Sequence, residues 1–506
     1  MFLIPNLQGI SKKQSTMKKL VLLIILLTSY GVNAQQRFLE DVFTSVNVTH
    51  DIVYGQNVTV ITGAPALDTL KMDIYEPDGD TVAVRPLILY LHTGSFLPVP
   101  INGQCTGDKS DSASVEMCKR FAKKGYVVAS INYRLGWNPV AVDQDTRTGT
   151  LLNAVYRALQ DAKSAVRFFR KSIALSGNPY KIDDTRIAIA GQGSGGYVAL
   201  AYGTVDSYDD ISLTKFTNLT TGNPYIDTTL SGDWDGNGGV GLNQPALNNP
   251  GYSNEINFVL NMGGAIGDST WMQAGDVPMV CCHVPNDPFA TYTYGPVIVP
   301  TTGQFVVNVS GSYDITRRAT YLGNNDSFRF LGLTDVFTSR ANLINDNYDG
   351  LFPLERPDPA GPLTGEAGPW EWWDTTCTSN ASSLLSNPDM SPAKGMAYID
   401  TVQGYVCPRM FQSLGLNVGI DETIQLQKSV LIYPNPSAGN FSIVVDASFA
   451  ELQNIRITDL TGKVVRTITG DRSFIYEISR QNLSPGVYFI KAQFTKGTVV
   501  KQIILN

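Results

Sequence analysis

The chain has 506 residues, 38 Lys and Arg against 45 Asp and Glu, a formal charge of −7, and 43% hydrophobic residues. The acid excess, with no basic stretch interleaved with aromatics, argues against a nucleic-acid partner. The apolar content is that of a globular protein, and the length predicts two domains with a large α/β core.

The first stretch reads as an address. Met17-Lys18-Lys19 is a short basic start, residues 20–27 form an unbroken apolar run, and Val32-Asn33-Ala34 ends it with small residues. This is the pattern of a secretory signal cut after Ala34, with the start expected at Met17 and residues 1–34 set aside as leader. The run falls short of the ~20 residues a membrane span needs, so no transmembrane segment is expected in the mature chain.

Over residues 35–417, apolar runs bounded by turn signals alternate with helix-like stretches, which predicts an α/β fold with a doubly wound, mainly parallel sheet. Leu70, Met72 and Ile74 alternate with polar neighbours as in a half-exposed edge strand. Residues 86–92 and 126–134 are more continuously apolar and read as central strands, and 153–171 carries alanines at helical spacing on one face. Further strands are expected at 186–190, 256–262, 278–282 and 328–331. The six cysteines suit an oxidising compartment. Spacing does not determine their pairing; Cys105 with Cys118 and Cys377 with Cys407 is the expectation. No CxxC or Cys/His ligand spacing occurs, so neither a metal nor a cofactor is expected.

The ordered pieces HTGSF (92–96), NYR (132–134), RALQDAKSAVRFFR, RIAIAG, GQGSGGYVAL, GDSTWMQAGDVPM (267–279) and HVPND (283–287) resemble the carboxylesterase and lipase branch of the α/β-hydrolases. The resemblance covers most of residues 45–335. It implies an oxyanion loop at His92-Thr93-Gly94-Ser95-Phe96, in which Thr93 replaces a glycine of the HGG pattern. It also implies a serine on a sharp strand-to-helix turn, followed in the chain by an acid and a histidine.

At that turn the likeness breaks. Laid without gaps on G-x-S-x-G-G, Gly191-Gln192-Gly193-Ser194-Gly195-Gly196 puts Gly193 at the nucleophile, with Ser194 one place later. Asp287 matches the triad acid, and His283 in the same loop matches a structural histidine. No histidine follows residue 283, and the family's GxxHxPW segment corresponds to Gly365-Glu366-Ala367-Gly368-Pro369-Trp370. Glu366 and Asp374 remain as carboxylate bases, poorly matched to a serine at neutral pH. Loss of one triad member costs roughly 10⁶-fold in turnover, so little holds the others in place afterwards.

The candidate catalytic residues are therefore Ser194 and Asp287, with no assigned base, and the oxyanion or binding candidates are Gly94, Ser95 and Gly195. The leading expectation is a degenerate hydrolase, inactive or nearly so, whose cleft binds a small ester, lipid or glycan fragment. The alternatives are an active serine esterase using Ser194 with an unusual base, and a surface interaction or structural protein. Two further features read as structural. Asp233-Trp234-Asp235-Gly236-Asn237 lacks the closing glutamate of a calcium loop, and Trp370, Trp372 and Trp373 form a packed aromatic corner.

A linker over 418–428 leads to a tail, 429–506, with short strand-like runs at 430–433, 441–445, 454–460, 463–468, 486–494 and 499–505. Regular short strands divided by turns predict a small β-sandwich. YPNPSAGNF, ITDLTGKVV, LSPGVYFI and KQIILN resemble the C-terminal sorting domain of type IX secretion. That implies the type IX machinery as a partner and a secreted or cell-surface destination through the periplasm and outer membrane.

Overall fold

The computed structural model describes residues 37–61, 63–299, 302–329, 331–355, 366–416, 426, 429–447, 450–460, 462–471, 473–481, 483–495 and 497–506. The expected signal segment and nearly all of the expected linker lie outside these residues. The main sheet takes β1 (Val46–Thr59), β2 (Ala66–Pro77), β3 (Arg85–Leu91), β4 (Val127–Ile131), β5 (Ile182–Gln192), β6 (Phe258–Met262) and β7 (Met279–His283). Next come an antiparallel hairpin, β8 (Tyr294–Ile298) with β9 (Phe305–Ser310), and β10 (Leu351–Pro353), which returns to the main sheet.

The strand order is β1-β2-β4-β3-β5-β6-β7-β10. Pairings β1–β2 and β2–β4 are antiparallel and the rest are parallel. From β3 the chain steps outward to β4 and then crosses back to β5 on the other side. This reversal leaves a crevice beyond the carboxyl ends of β3 and β5, where ligands bind in open α/β sheets.

Both faces are covered. Leu87, Leu89 and Leu91 of β3 pack with Ala154, Ala158, Ala162, Ala165 and Phe169. Ile88 and Tyr90, pointing the other way, pack with Met117, Phe121, Tyr398, Ile399 and Val402. Helix α1 (Ser112–Lys123) and the last helix of the core therefore share one face, and α2 (Gln144–Ser176) occupies the other together with α3 (Ser194–Tyr202). Helix α4 (Ser312–Leu322) lies against β7, and α5 (Pro392–Ser413) is that last helix. The five side chains Leu87 to Leu91 are 0% exposed, each contributing about 1.5–3 kcal/mol of burial. Helix α2 starts where the Asp143 carboxylate accepts the Thr146 amide at 2.7 Å and stops at Gly177 with φ 69°.

Two expectations need correction. Residues 70–75 are not an edge: β1, longer and more polar, lies outside β2. Register shifts between Thr49 and Ile52 and between Val53 and Gly55 interrupt its alternation, which hides it from a period-2 reading. The strand expected at 328–331 is instead a helical turn, Asp326–Arg329. Phe328 packs edge-on against Phe258, and β10 takes the place beside β7.

The tail contains β11 (Val430–Tyr433), β12 (Phe441–Val445), β13 (Leu452–Asp459), β14 (Val464–Thr469), β15 (Ile475–Ile478), β16 (Gly486–Phe494) and β17 (Gly497–Leu505). Sheets β11-β12-β15 and β14-β13-β16-β17 enclose Val430, Phe441, Ile443, Ile455, Ile457, Ile490 and Ile503. This is a small antiparallel β domain; β15 was not anticipated from the sequence.

One buried ion pair ties β4 to α2. Arg134 and Asp161 are both 0% exposed. The guanidinium reaches Asp161 Oδ1 at 2.8 Å and the carbonyls of Val58 and Arg157 at 3.0 and 3.1 Å, while the Arg134 amide donates to Asp161 Oδ2 at 2.8 Å. Removing one partner strands the other charge in the core. Asp161→Ala is expected to lower stability by about 3–5 kcal/mol, read as a falling urea midpoint, and an unchanged midpoint would contradict this account.

Candidate functional site

At the crevice, β5 ends in a turn that only a backbone without a side chain accepts easily. Gly193 has φ 52° and ψ −120°, and α3 begins at Ser194. Both angles lie in a region that residues with a side chain resist. A Cβ built on Gly193 would overlap Thr93 Oγ1 and lie 3.0 Å from Thr93 Cβ. The threonine of the HTGSF loop thus fills the space that a side chain at 193 would need.

Ser194 is buried, and its hydroxyl faces Tyr133 Oη at 3.1 Å. The tyrosine hydroxyl donates to the His92 carbonyl at 2.7 Å, which uses its only proton, so Ser194 must donate into the phenol oxygen. Burial holds Tyr133 above its ordinary pKa, leaving the phenol neutral. Gly195 lies beneath the turn, where a Cβ would overlap the Leu91 carbonyl; it is not among the residues lining the cleft.

Gly94 and Ser95 do line the cleft. Their loop is held in a conformation that ordinary residues resist, with φ of 124° at Gly94, 53° at Ser95 and 56° at Phe96. Trp137 Nε1 donates to the Ser95 carbonyl at 2.8 Å and the Gly136 amide to the Phe96 carbonyl at 2.8 Å, fixing it.

Across the cleft, Asp287 Oδ1 accepts the amides of Phe289 and Ala290 at 2.7 and 2.9 Å. His283 lies 3.6 Å from Asp287 Oδ2 but is fully buried, with both ring nitrogens engaged: Ser312 Oγ at 2.8 Å on Nδ1 and the Ala290 carbonyl at 3.1 Å on Nε2. The segment that the resemblance sets against GxxHxPW holds no histidine, and it brings Ala367 to the site. That residue lines the cleft beside Asp287: the Ala367 carbonyl and Asp287 Oδ2 lie 3.5 and 3.8 Å from a Cβ built on Gly263. His50 pairs with Asp73 on the far strands, and His92 donates from Nδ1 to the Thr93 carbonyl at 2.5 Å. None of the three histidines is among the lining residues.

Neither carboxylate expected as a stand-in base faces Ser194. Glu366 is 0% exposed and ion-paired to Lys394 at 2.7 Å, and Asp374 caps the Thr376 turn. The carboxyl that does enter the cleft is Glu371, which the sequence reading passed over because it sits among tryptophans. Its Oε1 accepts from Thr106 Oγ1 and Gln192 Nε2, each at 3.5 Å. Desolvation, with the nearby Asp111, pushes it up to about 8. Asp111 is itself pushed up to about 7 by burial. Of the aromatic corner, Trp370 is buried and lines the cleft, while Trp373 Nε1 donates to Asn380 at 2.9 Å.

The cleft has a cavity volume of about 140 Å³ and opens to solvent. Phe96, Trp137, Leu151, Val155, Phe289, Val297, Ile298 and Trp370 make its walls mostly apolar, as in sites for small organic ligands. A disulfide closes one rim. Cys105 bonds to Cys377, correcting the expected pairing; Cys118 and Cys407 are free and buried. The bridge joins the loop carrying Gln104 and Thr106 to the segment that follows Glu371, and the Cys105 amide donates to Ser383 Oγ at 2.9 Å beside it. The residues 233–237 loop serves as a brace: Asp235 pairs with Lys163 at 2.7 Å and Asp233 Oδ1 accepts the amides of Asp235 and Asn237.

Glu371 makes stability pH-dependent in a defined sense. The folded state keeps its proton up to about 8, whereas an unfolded chain releases it near the ordinary glutamate value. Stability must fall as pH rises through that window. Glu371→Gln is expected to flatten the decline in melting temperature between pH 5 and 8, leaving the part due to Asp111; an identical slope in the variant would refute this.

Residues 72–228 match the BD-FAE family model, and residues 431–506 match the secretion system C-terminal sorting domain. No protein of curated function matches the chain. Among solved structures, a bifunctional GH43-CE protein of Bacteroides eggerthii is 18% identical over 55% of this chain and 31% of its own, with a TM-score of 0.33. A truncated carbohydrate esterase from gut microbiota is 18% identical over 50% of this chain and 81% of its own, TM-score 0.30. Thermogutta terrifontis esterase 2, phosphorylated by paraoxon, is 18% identical over 49% and 74%, TM-score 0.28. No described helix is long and apolar enough to cross a membrane. The chain thus joins an α/β-hydrolase fold of the carboxylesterase type to a type IX sorting domain that directs it out of the cell or onto its surface.

Proposed function

We propose that the hydrolase-fold domain is a binding protein, not a working esterase: its cleft holds a small ester, lipid or glycan fragment without cleaving it. The observation that carries this is the turn at Gly193, which has no side chain and has the Thr93 hydroxyl lodged in the volume one would need. Acyl transfer needs a nucleophile whose proton passes to a base. Ser194 donates its hydrogen bond to a neutral phenol, and the segment that the resemblance sets against GxxHxPW holds no histidine. The apolar cleft does not depend on those groups for its shape.

On 4-nitrophenyl acetate the purified protein is expected to show no turnover beyond that of Ser194→Ala. A fluorophosphonate probe should leave no adduct, and a covalent adduct on Ser194 or Thr93 would end this reading.

The Thr93–Gly193 packing has its own test. Gly193→Ser alone forces a side chain into Thr93 and is expected to cost about 1–3 kcal/mol, typical of overpacking. Adding Thr93→Gly should recover much of that loss, giving a coupling of about 0.5–3 kcal/mol. Additive effects in chemical denaturation would show that the two positions do not share one volume.

A further inference from the structure

Glu371 lacks the cation that several acids of the core have. Asp73 faces Lys109, Asp80 faces Arg37 and Arg85, Asp161 faces Arg134, and Glu366 faces Lys394. Among the described residues Glu371 faces no cation. Its hydrogen bonds are two contacts at 3.5 Å, both to Oε1, at the outer limit of useful geometry. Asp111 and Asp287 add to the negative field around it. No lysine, arginine or histidine is among the described lining residues, whereas Asp287 and Glu371 both are.

Resting on the reading of this cleft as a binding site, we propose that its ligand is an organic cation: an amphiphile whose ammonium group docks on Glu371 and whose apolar body lies on Phe96, Trp137 and Trp370. An ammonium supplies the donors that the Glu371 carboxyl lacks, and a charge-assisted hydrogen bond is about twice as strong as a neutral one. The aromatic faces add cation–π attraction. A carboxylate ligand meets the negative field of Asp287 with no basic group to offset it and gains no counter-ion from Glu371.

The same interaction moves a proton. With the cleft empty, burial and Asp111 keep the Glu371 carboxyl largely protonated at neutral pH. An arriving ammonium favours the ionised form, so the O–H bond of Glu371 breaks, the proton passes to solvent, and the carboxylate becomes the counter-ion. A neutral alcohol binds without that release.

Calorimetry on the purified full chain with three probes sharing one apolar body tests this: 3-phenylpropylammonium, 3-phenylpropan-1-ol and 3-phenylpropanoate at pH 7. The ammonium should bind about tenfold or more tighter than the alcohol, as expected for a charged hydrogen bond, and the carboxylate weakest. Titrations in buffers of different ionisation enthalpy should show proton release with the ammonium only. Glu371→Gln should abolish both the release and the preference, bringing the ammonium's affinity down to that of the alcohol. Equal binding of all three probes, or tightest binding of the carboxylate, overturns the charge inference and leaves the binding reading standing. Binding of none overturns both.

Discussion

The site depends on a charge pair that never touches it. Arg134 and Asp161, both out of reach of water, clamp the end of β4 to α2, and the residue before the arginine is Tyr133. With Arg134 anchored by its side chain and its amide, the Tyr133 ring has one place to go. It stacks on His92 at 4.6 Å between centroids and reaches both the His92 carbonyl and Ser194. The loop after β3, the strand end of β4 and the first turn of α3 are thereby held in mutual register. A buried ion pair seldom gains much net stability, because desolvation offsets the attraction. Its value here is geometric, since three chain segments distant in sequence share one reference point.

On that frame, one volume has changed owner. The turn at Gly193 carries no side chain, and Thr93 on the facing loop fills the room one would need. Where the resemblance leads one to expect a small residue opposite a larger one, the larger now sits on the other wall. Close packing explains why the two positions must be read together: neither a void nor an overlap of a methyl-sized group passes without cost in an interior at crystal-like density. Three polar groups around it are paired: Ser194 with Tyr133, Asp287 with two amides, and His283 with Ser312 and Ala290.

Much of this was legible from residue order. The central strands announced themselves as apolar runs because both faces of the sheet are covered, and the slip of Ser194 relative to G-x-S-x-G-G was visible as letters. So was the absence of a late histidine. What stayed hidden involved partners far apart in the chain. β1 is masked by its irregular register. Phe328 looked strand-like, but it is buried from a helical turn, edge-on to Phe258 in the core. The Cys105–Cys377 bond closes a separation of 272 residues, and no local spacing reports on such closure. Glu371 was overlooked because an acid between tryptophans reads as surface punctuation until the fold turns it inward. Thr93 signalled a departure from the glycine pattern, yet its meaning appeared only when it was found pressed against Gly193.

The sulfur bridge sets an order of events. Cys105 and Cys377 join the two lips of the cleft, and thiols in a reducing cytosol do not oxidise to stay joined. A chain bearing this tail must travel before its lips are locked, so transit and maturation become consecutive steps of one process. Until the crossing, the recess has a floor but an unfastened rim.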